Sequence, residues 1–94
     1  MKTLVSASFF KRAFKRVIRQ KSELKKRIEE RLTLLANEPF DPLLQTHKLK
    51  DKLSGAWACS VEYDCRIVFN FVKNPNSGEE EILLIDIGTY EEVY

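Results

Sequence analysis

The sequence is short of punctuation and of reactive side chains. Its 94 residues hold three glycines, three prolines, two cysteines, one tryptophan and one histidine. So few glycines leave no Gly-rich loop to cradle a phosphate, and no nucleophile motif is present. One histidine and two cysteines do not make a metal-ligand cluster, so no metal or other cofactor is expected. Two cysteines are also too few for a disulfide framework, and Cys59 and Cys65 are expected as buried thiols. No segment has the uninterrupted apolar length of a signal-peptide core or a membrane span, which places the protein in the cytoplasm, away from membranes. Acid is scarce at one end. Residues 1–27 carry ten basic side chains against the single acid Glu23, although the whole chain has a net charge of only +2. That asymmetry suits a polyanion or an acidic protein partner, or simply a solvated helix surface.

What is present reads as one globular domain spanning 1–94, with 44% apolar residues and a core that removes roughly 60–65% of the unfolded surface from water. Thr3 to Val5 reads as a short strand, and Ser6 or Ser8 can cap the helix after it. Phe10, Ala13, Phe14, Val17 and Ile18 then fall on one helical stripe, opposite Lys11, Arg12, Lys15, Arg16 and Arg19. After a break with Ser22 as cap, Leu24, Ile28, Leu32 and Leu35 line a second helix. The two make an antiparallel helical hairpin. Asn37-Glu38-Pro39 ends it, and Pro39 and Pro42 should keep the next stretch extended.

The stretch from His47 to Phe71 organises the rest. Trp57, Cys59 and Val61 alternate with Ala58, Ser60 and Glu62, and Cys65, Ile67, Phe69 and Phe71 with Arg66, Val68 and Asn70, which predicts a β-hairpin. A three-residue turn at 62–64 sets Val61 opposite Cys65, Cys59 opposite Ile67 and Trp57 opposite Phe69, giving one apolar face. Ser60, Glu62, Arg66 and Asn70 take the other. After the turn KNPNSG, Glu81 to Ile87 forms a last strand, with Leu83, Ile85 and Ile87 in the core and Gly88 as its stop. The expected class is α+β, in the order β-α-α-β-β-β, with an antiparallel sheet covered by helices on one face only. Arg66 lies on the uncovered face, where the chain arrives from His47.

RNA cleaved by its own 2′-hydroxyl needs a base, cations for the equatorial oxygens and an acid for the leaving 5′-oxygen. His47 suits the first role, since an unperturbed imidazole titrates near ~6.5. Arg66 can hold a phosphate in a planar fork, with Lys48, Lys50 and Lys52 as point charges beside it. Tyr63, Tyr90 and Tyr94 can stack on bases. Plainer readings stand beside these. A lone loop histidine can be structural, Arg66 can pair with Glu62 across the hairpin, the lysines can be a solvated loop, and the last tyrosines can pin the chain end.

Over essentially its whole length the chain resembles the RelE/ParE superfamily of bacterial type II toxins, nearer the mRNA-interferase branch. The resemblance is carried by FFKRAFKR in the first helix, HKLKDKLSGAW, CRIVF and the closing IGTYEEVY. It implies a RelE-like fold and a metal-independent endoribonuclease that cuts mRNA, typically in the ribosomal A site, and is silenced by a cognate antitoxin. It assigns His47 as general base, Arg66 as phosphate binder, Tyr94 as the closing aromatic, and Asp64 to a position that is functional in some relatives. Ser60 and Tyr90 depart from the pattern, standing where histidine-rich relatives have a second histidine and the general acid. The alternatives are a gyrase-poisoning ParE-like toxin and a catalytically weak or inactive RNA- or protein-binding member of the fold.

Overall fold

A computed structural model describes residues 1–50, 55–62 and 64–89. The elements are β1 (Thr3–Ser6), α1 (Ser8–Gln20), α2 (Leu24–Asn37), a short 3-10 turn (Pro42–Leu44), β2 (His47–Lys48), β3 (Trp57–Glu62), β4 (Cys65–Lys73) and β5 (Glu80–Thr89). The five strands form one sheet in the order β1-β5-β4-β3-β2. The α+β class holds, with two departures from the expected sheet. β1 runs parallel to β5, from Thr3 opposite Glu81 to Ser6 opposite Leu84, so the sheet is mixed. And β2 adds a fifth strand, only two residues long and too short to leave a periodic signature.

The apolar stripes meet where their spacing requires. Phe10, Ala13 and Val17 of α1, with Ile28 and Leu35 of α2, pack on Cys59, Val61, Cys65, Ile67 and Phe69 of the hairpin. Phe69 is fully buried; truncating such a ring to alanine costs about 3–5 kcal/mol. The caps differ from expectation. Ala7 and Glu23 occupy the N-cap positions, neither with a side-chain cap bond. Main-chain bonds take over, Ala7 N donating to Leu84 O (3.0 Å) and Leu24 N to Lys21 O (3.0 Å). Pro42 opens the 3-10 turn rather than extending the chain. Its N-cap Asp41 accepts from Leu43 N at 2.9 Å.

Two bulges shift the predicted registers. In the hairpin, Trp57 faces Phe69 and Cys59 faces Ile67 as expected, but an irregularity at Val61 puts Glu62 opposite Cys65. Val61 stays in the core and Glu62 reaches Arg27, Oε1 to Nε 3.3 Å. In β5 the ladder passes from Asp86 opposite Val68 to Leu84 opposite Phe69, leaving Ile85 as the extra residue. One extra residue exchanges the two faces of everything before it. Ile82 and Leu84 therefore join Ile87 in the core, whereas Leu83 and Ile85 do not. Gly88 does not stop the strand, which continues to Thr89.

The second face is not wholly open either. Leu49 N donates to Ala56 O at 2.9 Å, and Leu49, Ala56 and Ile85 gather over the buried Val68. Gly55, at φ +93°, brings the chain into β3; this left-handed value favours glycine. Towards the β3–β4 turn this face is not open as expected either, for Ser60 is half-buried and Arg66 is buried.

Candidate active site

Gln45 sets the geometry of the site. It closes the 3-10 turn in the left-handed region, at φ +50°, and its N–H donates to Pro42 O at 3.2 Å. The reversal lays His47 and Lys48 along β3, opposite Ala58 and Trp57 respectively. Side chains alternate across a sheet, so His47 shares the face of Ala58, Ser60, Arg66 and Val68. Lys48 takes the other face, with its Nζ 5.6 Å from the centre of the Trp57 ring. That ring belongs to an aromatic group with Phe40 and Phe71.

A chain of hydrogen bonds links the two predicted catalytic groups. Arg66 donates from Nη1 to Ser60 Oγ (2.8 Å), and Ser60 Oγ donates to Gln45 Oε1 (3.1 Å). Gln45's own carbonyl lies 3.0 Å from His47 Nδ1. A carbonyl only accepts, so this bond requires the proton on Nδ1. In the neutral ring, Nε2 then carries the basic lone pair. Arg66 is only 8% exposed, and a charge so far from water needs hydrogen bonds to persist. Its β5 neighbour in the ladder is Gly88, which adds no side chain beside the guanidinium.

β2 ends before it reaches the last residues of β3, and helix α2 takes over that edge. Arg31 Nε donates to Val61 O at 3.3 Å. Between α2 and β3 lies a cleft of about 440 Å³, lined by Arg27, Arg31, Gln45, Ser60, Glu62 and Arg66 among others. Among the described residues its lining holds three guanidinium groups and one acid, Glu62, already paired with Arg27.

The other predicted residues scatter. Asp64 pairs with Lys21 (3.6 Å) beside the interhelical turn and lines a separate cleft with Lys21 and Leu24. Lys50 is exposed just past β2. Lys52, Tyr63, Tyr90 and Tyr94 lie outside the described residues. Sequence reasoning missed Gln45 and Arg31. No pattern marks a left-handed glutamine. Arg31 left a faint signal, an arginine beside Leu32 at the margin of the buried stripe of α2.

A family model for the bacterial toxin of the type II toxin–antitoxin system, YafQ, matches residues 2–94. No curated protein matches the chain. Among solved structures, a copper-bound mutant toxin from Helicobacter pylori is 28% identical, with TM-score 0.73 and full coverage of both chains. YafQ from E. coli strain BL21(DE3) superposes with TM-score 0.79 at 16% identity, over 100% of this chain and 99% of that one. YafQ in the E. coli DinJ-YafQ complex gives 0.76 at 14% identity, over 100% and 99%. At these lower identities the likeness is one of fold.

Proposed function

The chain belongs to the YafQ family of bacterial type II toxin–antitoxin toxins, and from that footing we propose that it is a metal-independent endoribonuclease acting on mRNA, at the ribosomal A site. The observation that carries this reading is the shared face of His47 and Arg66, joined through Ser60 and Gln45. A base and a cation on one face of the sheet are what an internal attack on a phosphodiester requires.

In this mechanism His47 Nε2 takes the proton from a ribose 2′-hydroxyl. The oxygen attacks the adjacent phosphorus, and the bond from phosphorus to the 5′-oxygen breaks. The products are a 2′,3′-cyclic phosphate and a new 5′-hydroxyl. Arg66 holds the equatorial oxygens as charge builds on them, and Lys50 and Lys52 hold neighbouring phosphates. Tyr90 or Tyr94 supplies the proton to the leaving oxygen or stacks on a base. A phenol, of ordinary pKa near ~10, is a slower donor than imidazolium at neutral pH, which makes this an attenuated nuclease.

The solved E. coli complex pairs YafQ with DinJ. By analogy a cognate antitoxin silences this chain, with acidic groups meeting the basic half. Mapping of mRNA 5′ ends after expression tests the function. New ends that vanish in His47→Ala are the expected result. Absence of new ends, with DNA breaks in their place, would favour the gyrase-poisoning alternative.

A further inference from the structure

Arg31 is held in a way that a merely solvated helix arginine is not. Its Nε donates to Val61 O at the edge of β3, 3.3 Å away, which fixes the plane of the guanidinium. Its two Nη groups have no partner among the described residues. The side chain is partly buried and lines the cleft that also holds Arg66. Burial pushes the thiol of Cys59 up, whereas Arg31 and Arg66 both pull it down, so the two fields overlap there.

We infer that Arg31 is a second phosphate-binding residue, receiving a phosphodiester next to the one held by Arg66 on the same RNA strand. The inference rests on the ribonuclease reading for the identity of the ligand. An anchored Nε leaves a two-pronged donor for non-bridging oxygens, the geometry in which arginine surpasses lysine. Among the described residues the only acid in the cleft lining, Glu62, is already paired with Arg27. RNA, rather than an antitoxin carboxylate, fits because Gln45 and Ser60 make this cleft continuous with His47. A strand seated at His47 and Arg66 thus passes around the β3 edge towards α2.

The test uses a short single-stranded RNA whose riboses are 2′-O-methylated throughout, so that it binds without being cut. Binding is measured against salt, with thermal midpoints as the folding control. Arg31→Gln should lower the slope of log affinity against log salt by about 0.7, the contribution of one single-strand phosphate contact. A fourfold rise in salt then costs the wild-type chain about 2.6-fold more affinity than the variant. Arg31→Lys should keep the slope but weaken binding, which supports the site even if Arg31→Gln fails to fold. Lys73→Gln, at the far end of β4, should change nothing. A wild-type slope in Arg31→Gln beside a lowered one in Arg66→Gln overturns the inference. So does unchanged RNA binding with weakened antitoxin binding, which would give Arg31 to the protein partner. A lowered Arg31→Gln slope in a chain that cleaves no RNA would keep the phosphate site and sink the nuclease reading.

Discussion

Arg66 and Ser60 face each other across the β3–β4 ladder, and the arginine Nη1 donates to the serine hydroxyl over 2.8 Å. Ser60 passes the link on to Gln45. Ser60 is thus a small relay between Gln45 and the buried Arg66.

Removing that relay should be felt in both stability and rate. Ser60→Ala takes away an acceptor from a nearly buried cation, worth about 1.5–3 kcal/mol. Urea unfolding should show the loss as a lower midpoint. A wild-type midpoint would mean that the bond contributes nothing.

Arg66→Lys keeps the charge and loses the fork. Cleavage should slow on the order of 10- to 100-fold in single-turnover assays. Full activity would remove bidentate phosphate binding from the mechanism.

His47→Ala should slow the chemical step by about 10²–10⁴, the usual contribution of a general base. The Gln45 carbonyl adds a spectroscopic test. Nitrogen NMR of the neutral ring should find the proton on Nδ1, and Gln45→Val, strained in the left-handed region, should lose that preference. Gln45→Gly should keep it. A proton on Nε2 in the parent would contradict the arrangement.

Tyr90→His should raise cleavage, most visibly at about pH 6–7, where imidazolium is a ready donor. Tyr90→Phe distinguishes the phenol hydroxyl from the ring: loss of rate assigns the hydroxyl a role, and retention leaves only stacking or packing. A Tyr90→His variant that folds, binds RNA normally and cleaves no faster at any pH would end the acid assignment.

Burial raises the Cys59 thiol from its ordinary 9.0 to about 12. Above pH 9 the unfolded chain gives up this proton while the native chain keeps it, so the native state binds more protons and stability falls as pH rises towards 12. The slope from this group approaches ~1.4 kcal/mol per pH unit. Cys59→Ala should lose that increment of alkaline destabilisation in urea titrations between pH 8 and 11. An identical pH dependence in the two proteins would show that Cys59 is not protected in this way.

Periodicity carried much of the fold. The stripe of α1, that of α2 and the alternation in the hairpin each specify a buried face, and burial of those faces is the main drive to fold. The same parity placed Arg66 on the side away from the helices, in line with His47. It failed where one residue breaks the count. The bulge at Ile85 sends Leu83 and Ile85 to the other face, and the irregularity at Val61 resets the hairpin's end. The resemblance named the family, and the family match bears it out.

The sequence by itself determined the two helices, the hairpin and the face that bears Arg66, because these follow from spacings within continuous segments. Tertiary structure alone decided that β1 joins β5 in parallel, that His47 pairs with Ala58, and that Asp64 turns to Lys21. It also decided that Gln45, Ser60, Arg31 and Arg66 share one cleft. Those residues come from a turn, two strands and a helix, and no local pattern encodes which of them meet. Their meeting depends on a left-handed turn and on a strand too short to cover its neighbour's edge.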